Sequence, residues 1–150
     1  MGRVEPHATA LADAVVAALP GWVERSVARV LTAWESGGLD PAVLATAREE
    51  GRRAATEVGA AVRTLVEADI DDQRTTPLAL LRTAVRYPTR VLREAGVPPI
   101  QRDPIQVRLL PEDLYDLSPA SFADVDPSLA EPGMAWGAAK ALAHRRRHAP

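Results

Sequence analysis

The chain has 150 residues, an apolar fraction of 47% and no cysteine. That is enough to bury the core of one domain; it argues against global disorder and excludes disulfides, thiol chemistry and thiolate metal sites. The net charge of −2 leaves no overall attraction to nucleic acid.

Aromatic residues make up 4% of the chain while alanine is abundant, so the core must be built from Ala, Val and Leu, which suits closely packed helices. Lys140 is the one lysine among 18 basic residues, a skew that points to GC-rich codons and a high-GC bacterium. The lack of cysteine and of any apolar run of membrane-spanning length points to the cytoplasm. MGRVEPHATA carries one arginine and no small-residue cleavage pattern follows, so no signal peptide is expected.

In chain order, a first short helix is predicted from Thr9 to Leu19, broken by Pro20-Gly21. A second runs from Trp22 to Glu35 with Val23, Val27, Val30 and Trp34 on one face, stopped by Gly37-Gly38. Asp40-Pro41 starts a third, since Asp40 can cap free N–H groups and Pro41 sits where no N–H is needed. There Leu44, Ala47, Gly51, Ala54, Val58, Ala61 and Leu65 form an a/d seam with a small centre. The six-residue connection favours an antiparallel hairpin with the second helix; a homodimer seam is the alternative. The opposite face offers the pairs Glu49/Arg53 and Arg63/Glu67.

Thr76-Pro77 starts a fourth helix, bent or restarted at Pro88 and closed by Gly96. Its apolar face is Leu80, Ala84, Tyr87, Val91 and Ala95; Arg82, Arg86, Arg90 and Arg93 fall together on the other side. Ile105, Val107 and Leu109 alternate as in a short extended strand, with no partner strand to make a sheet. Prolines then recur eight residues apart at Pro111, Pro119 and Pro127, with six carboxylates (Glu112, Asp113, Asp116, Asp124, Asp126, Glu131) and no basic residue. Ser118-Pro119 and Asp126-Pro127 each read as an N-cap followed by an N1 proline, so this arm is expected to form single-turn helices presenting apolar anchors. A last helix begins near Met134 and ends in a basic tail.

The fold expectation is therefore an all-α, helical-hairpin-based bundle of about four helices over residues 6–96, a Pro-rich acidic arm over 97–132, and a closing basic helix over 133–150, all in one domain. The arm is expected to wrap over the bundle through Leu114, Tyr115, Leu117, Phe122 and Leu129, with its carboxylates near the arginine stripe.

Catalytic patterns fail on inspection. His144 and His148 have metal-pair spacing but flank three arginines, whose charge disfavours a cation, so they read as a basic tail. The Asp69–Asp72 turn fails as a calcium loop because Arg74 and Leu80 occupy the positions that need Gly and Glu. No nucleophile elbow or phosphate loop is present, and neither metal nor cofactor is expected.

The arginine stripe admits three readings: a solvated face, a dock for the acidic arm, or a phosphate clamp. The leading functional expectation is a non-enzymatic protein-interaction or regulatory protein, with a protein partner or self-association. Arg82, Arg86, Arg90, Arg93, Leu114, Tyr115, Phe122 and Trp136 are its candidate partner-binding residues. The alternative is nucleic-acid binding through the stripe and tail, and a third reading is an enzyme using Asp113, Asp116 or Asp124.

Overall fold

A computed structural model describes residues 5–34, 39–67, 76–135 and 137–138. They hold helices α1 (Glu5–Trp34), α2 (Pro41–Glu67), α3 (Pro77–Thr83), α4 (Arg86–Glu94), α5 (Pro104–Leu109) and α6 (Phe122–Val125), followed by a 3-10 turn at Pro127–Leu129. Residues 130–135 are again helical, and no strand occurs among the described residues. The architecture is the expected all-α bundle. Trp136, the Asp69–Asp72 turn and the basic tail with His144 and His148 lie outside the described residues. No helix among the described residues is long and apolar enough to cross a membrane.

The first two predicted helices are one, because α1 runs straight through Pro20. A mid-helix proline costs about 3 kcal/mol or more through its lost hydrogen bond and ring clash. Against that stands one apolar stripe in unbroken helical register across the proline: Leu11, Val15, Ala18 and Leu19 before it, Trp22, Val23, Val27 and Leu31 after it, all buried. Each large member contributes roughly 1.5–3 kcal/mol, so the continuous face wins.

Asp40 caps α2 as expected, its Oδ1 accepting from the Ala42 N–H at 2.9 Å. The contacts Asp13–Arg63, Val16–Gly59, Pro20–Gly51 and Glu24–Arg48 run in opposite order along α1 and α2, so the two form an antiparallel hairpin. The seam of α2 is thereby occupied within the chain. Its strict heptad does not persist: Ala47, Gly51, Ala54 and Val58 are buried, but Ala61 is exposed and the core passes to Val62 and Val66. A straight helix has 3.6 residues per turn, so a 3.5-residue repeat drifts off the contact face. The predicted charge pairs also rearrange. Arg52 pairs with Glu49, Arg53 with Glu50 at 3.2 Å, and Arg63 reaches Asp13 across the hairpin at 2.7 Å.

α3 starts at Thr76-Pro77, with the Thr76 hydroxyl accepting from the Ala79 N–H. The helix breaks at Ala84–Val85, before Pro88 rather than at it. Proline clashes with the carbonyl four residues back, and that carbonyl belongs to Ala84. The chain answers by tightening into three-residue bonds there, Ala84 N–H to Leu81 O, Val85 N–H to Arg82 O and Tyr87 N–H to Ala84 O. Pro88 then stands in the first turn of α4, where no N–H is needed. Gly96 (φ +82°) closes α4 in a Schellman turn: its N–H bonds the Arg93 carbonyl, the Val97 N–H bonds that of Leu92, and both apolar side chains are buried. α4 packs against both members of the hairpin, α3 against α2, and α6 with the 3-10 turn against α1.

The contact that sets the hairpin spacing is testable. A Cβ on Gly51 would stand 2.8 Å from the Pro20 Cα and 2.9 Å from its carbonyl oxygen, both backbone atoms, whereas one on Gly59 would come within 2.5 Å of a methyl of Val16, a side chain whose 37% exposure leaves it room to shift. Gly51→Ala is expected to lower stability by roughly 1–2 kcal/mol, overpacking outweighing the gain in helix propensity, while Gly59→Ala stays within about 1 kcal/mol of wild type. Urea denaturation of the two variants checks this; equal midpoints would remove the distinction.

Candidate interaction cleft

The arm folds back on its own chain. Tyr115, Leu117, Val125 and Leu129 are buried in the same core as the helices, with Leu114 and Phe122 packed against it. The Tyr115 hydroxyl donates to the Val97 carbonyl at 2.6 Å. Phe122 lies against Gly133, where a Cβ would come within 2.7 Å of the ring. Tyr115 and Phe122 thus hold the arm on its own chain, as expected of its apolar anchors.

Polar attachment comes mainly from donors reaching arm carbonyls. Arg25 of α1 donates to the Val125 carbonyl at 2.9 Å and Arg82 of α3 to that of Pro119 at 3.0 Å. Of the arm's carboxylates Glu112 lies near the arginine stripe, while Asp113, Asp124 and Asp126 serve backbone N–H groups. Asp113 is fully buried and accepts from the Leu117 and Ser118 N–H groups, both at 2.7 Å. Asp124 accepts from Ala120 and Ser121 N–H groups and so caps α6. This corrects the expected helix start at Ser118-Pro119: Ser121 is the N-cap, and the Ser118 hydroxyl is buried with no partner among the described residues. Asp126 caps the 3-10 turn as expected, accepting from the Ser128 N–H, and meets Arg25 at 3.5 Å. The Ser128 bonds and then Arg25 hold its carboxyl below the ordinary range. Asp113 and Asp124 are thus committed to backbone donors.

The stripe itself divides. The turn at Ala84–Val85 separates Arg82 from the rest. Arg86, Arg90 and Arg93 line one wall of a cleft of about 750 Å³, with Thr89 and Glu94; Pro111, Glu112 and Leu114 of the arm form the other wall. Arg86 is held by its bond to the Thr83 carbonyl. Arg90 is held by Glu50 of α2 at 3.3 Å and lies over the Tyr87 ring, 5.9 Å from its centroid. Arg93 has no hydrogen-bond or ion-pair partner among the described residues. Thr89 was missed in the sequence although it stands three residues after Arg86 and four before Arg93, on the same helix face. Its residue is 6% exposed and its hydroxyl has no partner among the described residues.

Beneath the cleft the Tyr87 hydroxyl donates to Glu57 of α2. Burial first, and then this bond, push its pKa up to about 12. Burial also raises Tyr115. Comparison of the chain with protein-family models, with curated proteins and with solved structures gave no match.

Alkaline titration gives a direct check. With its folded pKa above that of the unfolded chain, Tyr87 contributes stability that is complete below pH about 10 and is lost as pH rises toward about 12. The chain has two tyrosines, so tyrosinate absorbance reports both. It is expected to lag free tyrosine while the fold persists, and an unshifted titration would contradict the burial. Asp113→Ala would leave the buried Leu117 N–H and the part-buried Ser118 N–H unpaired, at about 1–3 kcal/mol for the buried one. Limited proteolysis is expected to cut within residues 98–132 faster in that variant than in wild type.

Proposed function

We propose that the protein is a non-enzymatic interaction protein of a high-GC bacterial cytoplasm, and that its cleft between α4 and the arm grips an acidic segment of a protein partner. One observation carries this reading: the acidic arm docks without neutralising the arginines. Asp113, Asp124 and Asp126 turn to backbone N–H groups and to Arg25, and Glu112, though it lines the cleft, makes no ion pair, so Arg86 and Arg93 keep no carboxylate partner among the described residues. A guanidinium fork that is held in place yet open to an incoming carboxylate, as Arg86 is, gives charge-assisted, bidentate bonds with little further ordering. Pro111 and Leu114 add an apolar wall for a neighbouring side chain.

Nucleic acid is the less supported alternative. Glu94 and Glu112 line the same cleft and would face a uniform line of phosphates, and among the described residues no aromatic ring lines it for base stacking. A partner with discrete carboxylates avoids that conflict.

Affinity capture from host cells with wild type and with Arg86→Glu plus Arg93→Glu tests the reading. The expected result is a partner whose retention falls at least ~10-fold in the variant, weakens as salt rises, and is competed by poly-glutamate. The same partner captured in equal amount by both proteins would overturn it. Retention on duplex or single-stranded nucleic acid at ~50 mM salt, lost in the variant, would transfer the cleft to the alternative.

A further inference from the structure

A second surface involves the loop that also supplies the arm's wall of the arginine cleft. Ile105, Val107 and Leu109, expected as a strand, form α5 instead: the Asp103 side chain accepts from the Ile105 N–H at 2.7 Å and Pro104 supplies the first helical position. A proline after a capping aspartate outweighs a three-residue alternation that has no partner strand. The helix stands at the tip of a loop closed at its neck by the Ile100 N–H to the Leu114 carbonyl and by Arg102 to the Leu110 carbonyl. Its apolar side chains are left in solvent, Ile105 63%, Val107 44% and Leu109 67% exposed.

At the loop's base an apolar groove of about 560 Å³ opens at the end of α1. Val30, Ala33, Trp34, Val97, Pro98 and Ile100 line it, with Arg29, Tyr115 and Asp116. Trp34 and Ile100 are 45% and 46% exposed. Ile100 belongs both to the groove and to the loop's neck. Knob and groove therefore flank the same loop neck, and α5 does not line the groove of its own chain. Exposed apolar groups on both mark an interaction site.

We propose that the occupant is a second copy of this chain: α5 of each protomer seats in the groove of the other, about a twofold axis. Such a contact must be self-complementary, with each patch offering what the other accepts. The charges fit that requirement. Arg108 on α5 and Asp116 at the groove have no partners among the described residues, and Arg29 at the groove finds a counterpart in the free oxygen of Asp103. Exchange of α5 covers the exposed apolar residues of both knob and groove. Pro98, Pro99, Pro104 and Pro111 stiffen the loop, so little freedom is lost when it docks. This inference uses none of the cleft arginines, so either reading can fail alone.

Light scattering on a sizing column, or sedimentation, at ~10–100 µM chain tests it. Wild type is expected as a dimer, and Ile105→Asp plus Leu109→Asp as a monomer with unchanged helicity. Arg108→Ala and Asp116→Asn are each expected to weaken the dimer, and the double variant no further than the worse single one. A monomeric wild type, a dimer that survives the Ile105/Leu109 variant, or charge effects that simply multiply would each overturn the proposal.

Discussion

The backbone of α1 at Pro20 touches that of α2 at Gly51, and the rest of the molecule is arranged around that approach. A hairpin with a bulky residue at position 51 would stand further apart, and the Ala-rich core has few large side chains to fill the difference. Ala47, Ala54 and Ala55 line the same face of α2 and are buried with it. Close backbones let small residues reach the interior's usual packing density. The proline belongs to the same device. It lies against Gly51, inside a helix whose apolar stripe outweighs the bond it forfeits.

On this frame the arm is held by a division of labour. Apolar anchors supply most of the attachment, since exposed ion pairs contribute only about 0–1 kcal/mol each. Arginines supply direction by donating to carbonyls, which are present at every residue whatever the side chain. The acidic side chains serve their own backbone: Asp113, Asp124 and Asp126 each satisfy N–H groups that a proline-broken chain cannot pair within regular helices. Opposite charge blocks therefore lie near each other without neutralising each other.

Much of this was legible in the residues. Asp40-Pro41, Thr76-Pro77 and Asp126-Pro127 start helical turns, and Gly96 ends one, because these signals depend on a few neighbouring atoms. The failures have physical causes of wider range. Pro20 read as a breaker because its local cost was visible while the stripe that offsets it becomes energetic only when α2 is in place. The α2 seam was found but its far end was misassigned, since a heptad and a straight helix part company after a few turns. The alternation at Ile105–Leu109 is ambiguous by itself, and the Asp103-Pro104 cap beside it was the better guide. At the cleft, the three arginines of α4 were identified; Glu112 and Leu114 came to face them only through the path of the arm. Arg25 as the arm's clamp had no signal at all, being an ordinary exposed arginine on α1.

That clamp spans a hundred residues of chain, from Arg25 to Val125. During synthesis at about 5–20 residues per second, roughly 5–20 s pass between the appearance of the two. The hairpin is complete well before its cover exists, so the side of α1 that will receive Val125 and Leu129 meets the crowded cell bare. The arm therefore completes the fold last, covering an apolar side of α1 that the hairpin alone leaves open.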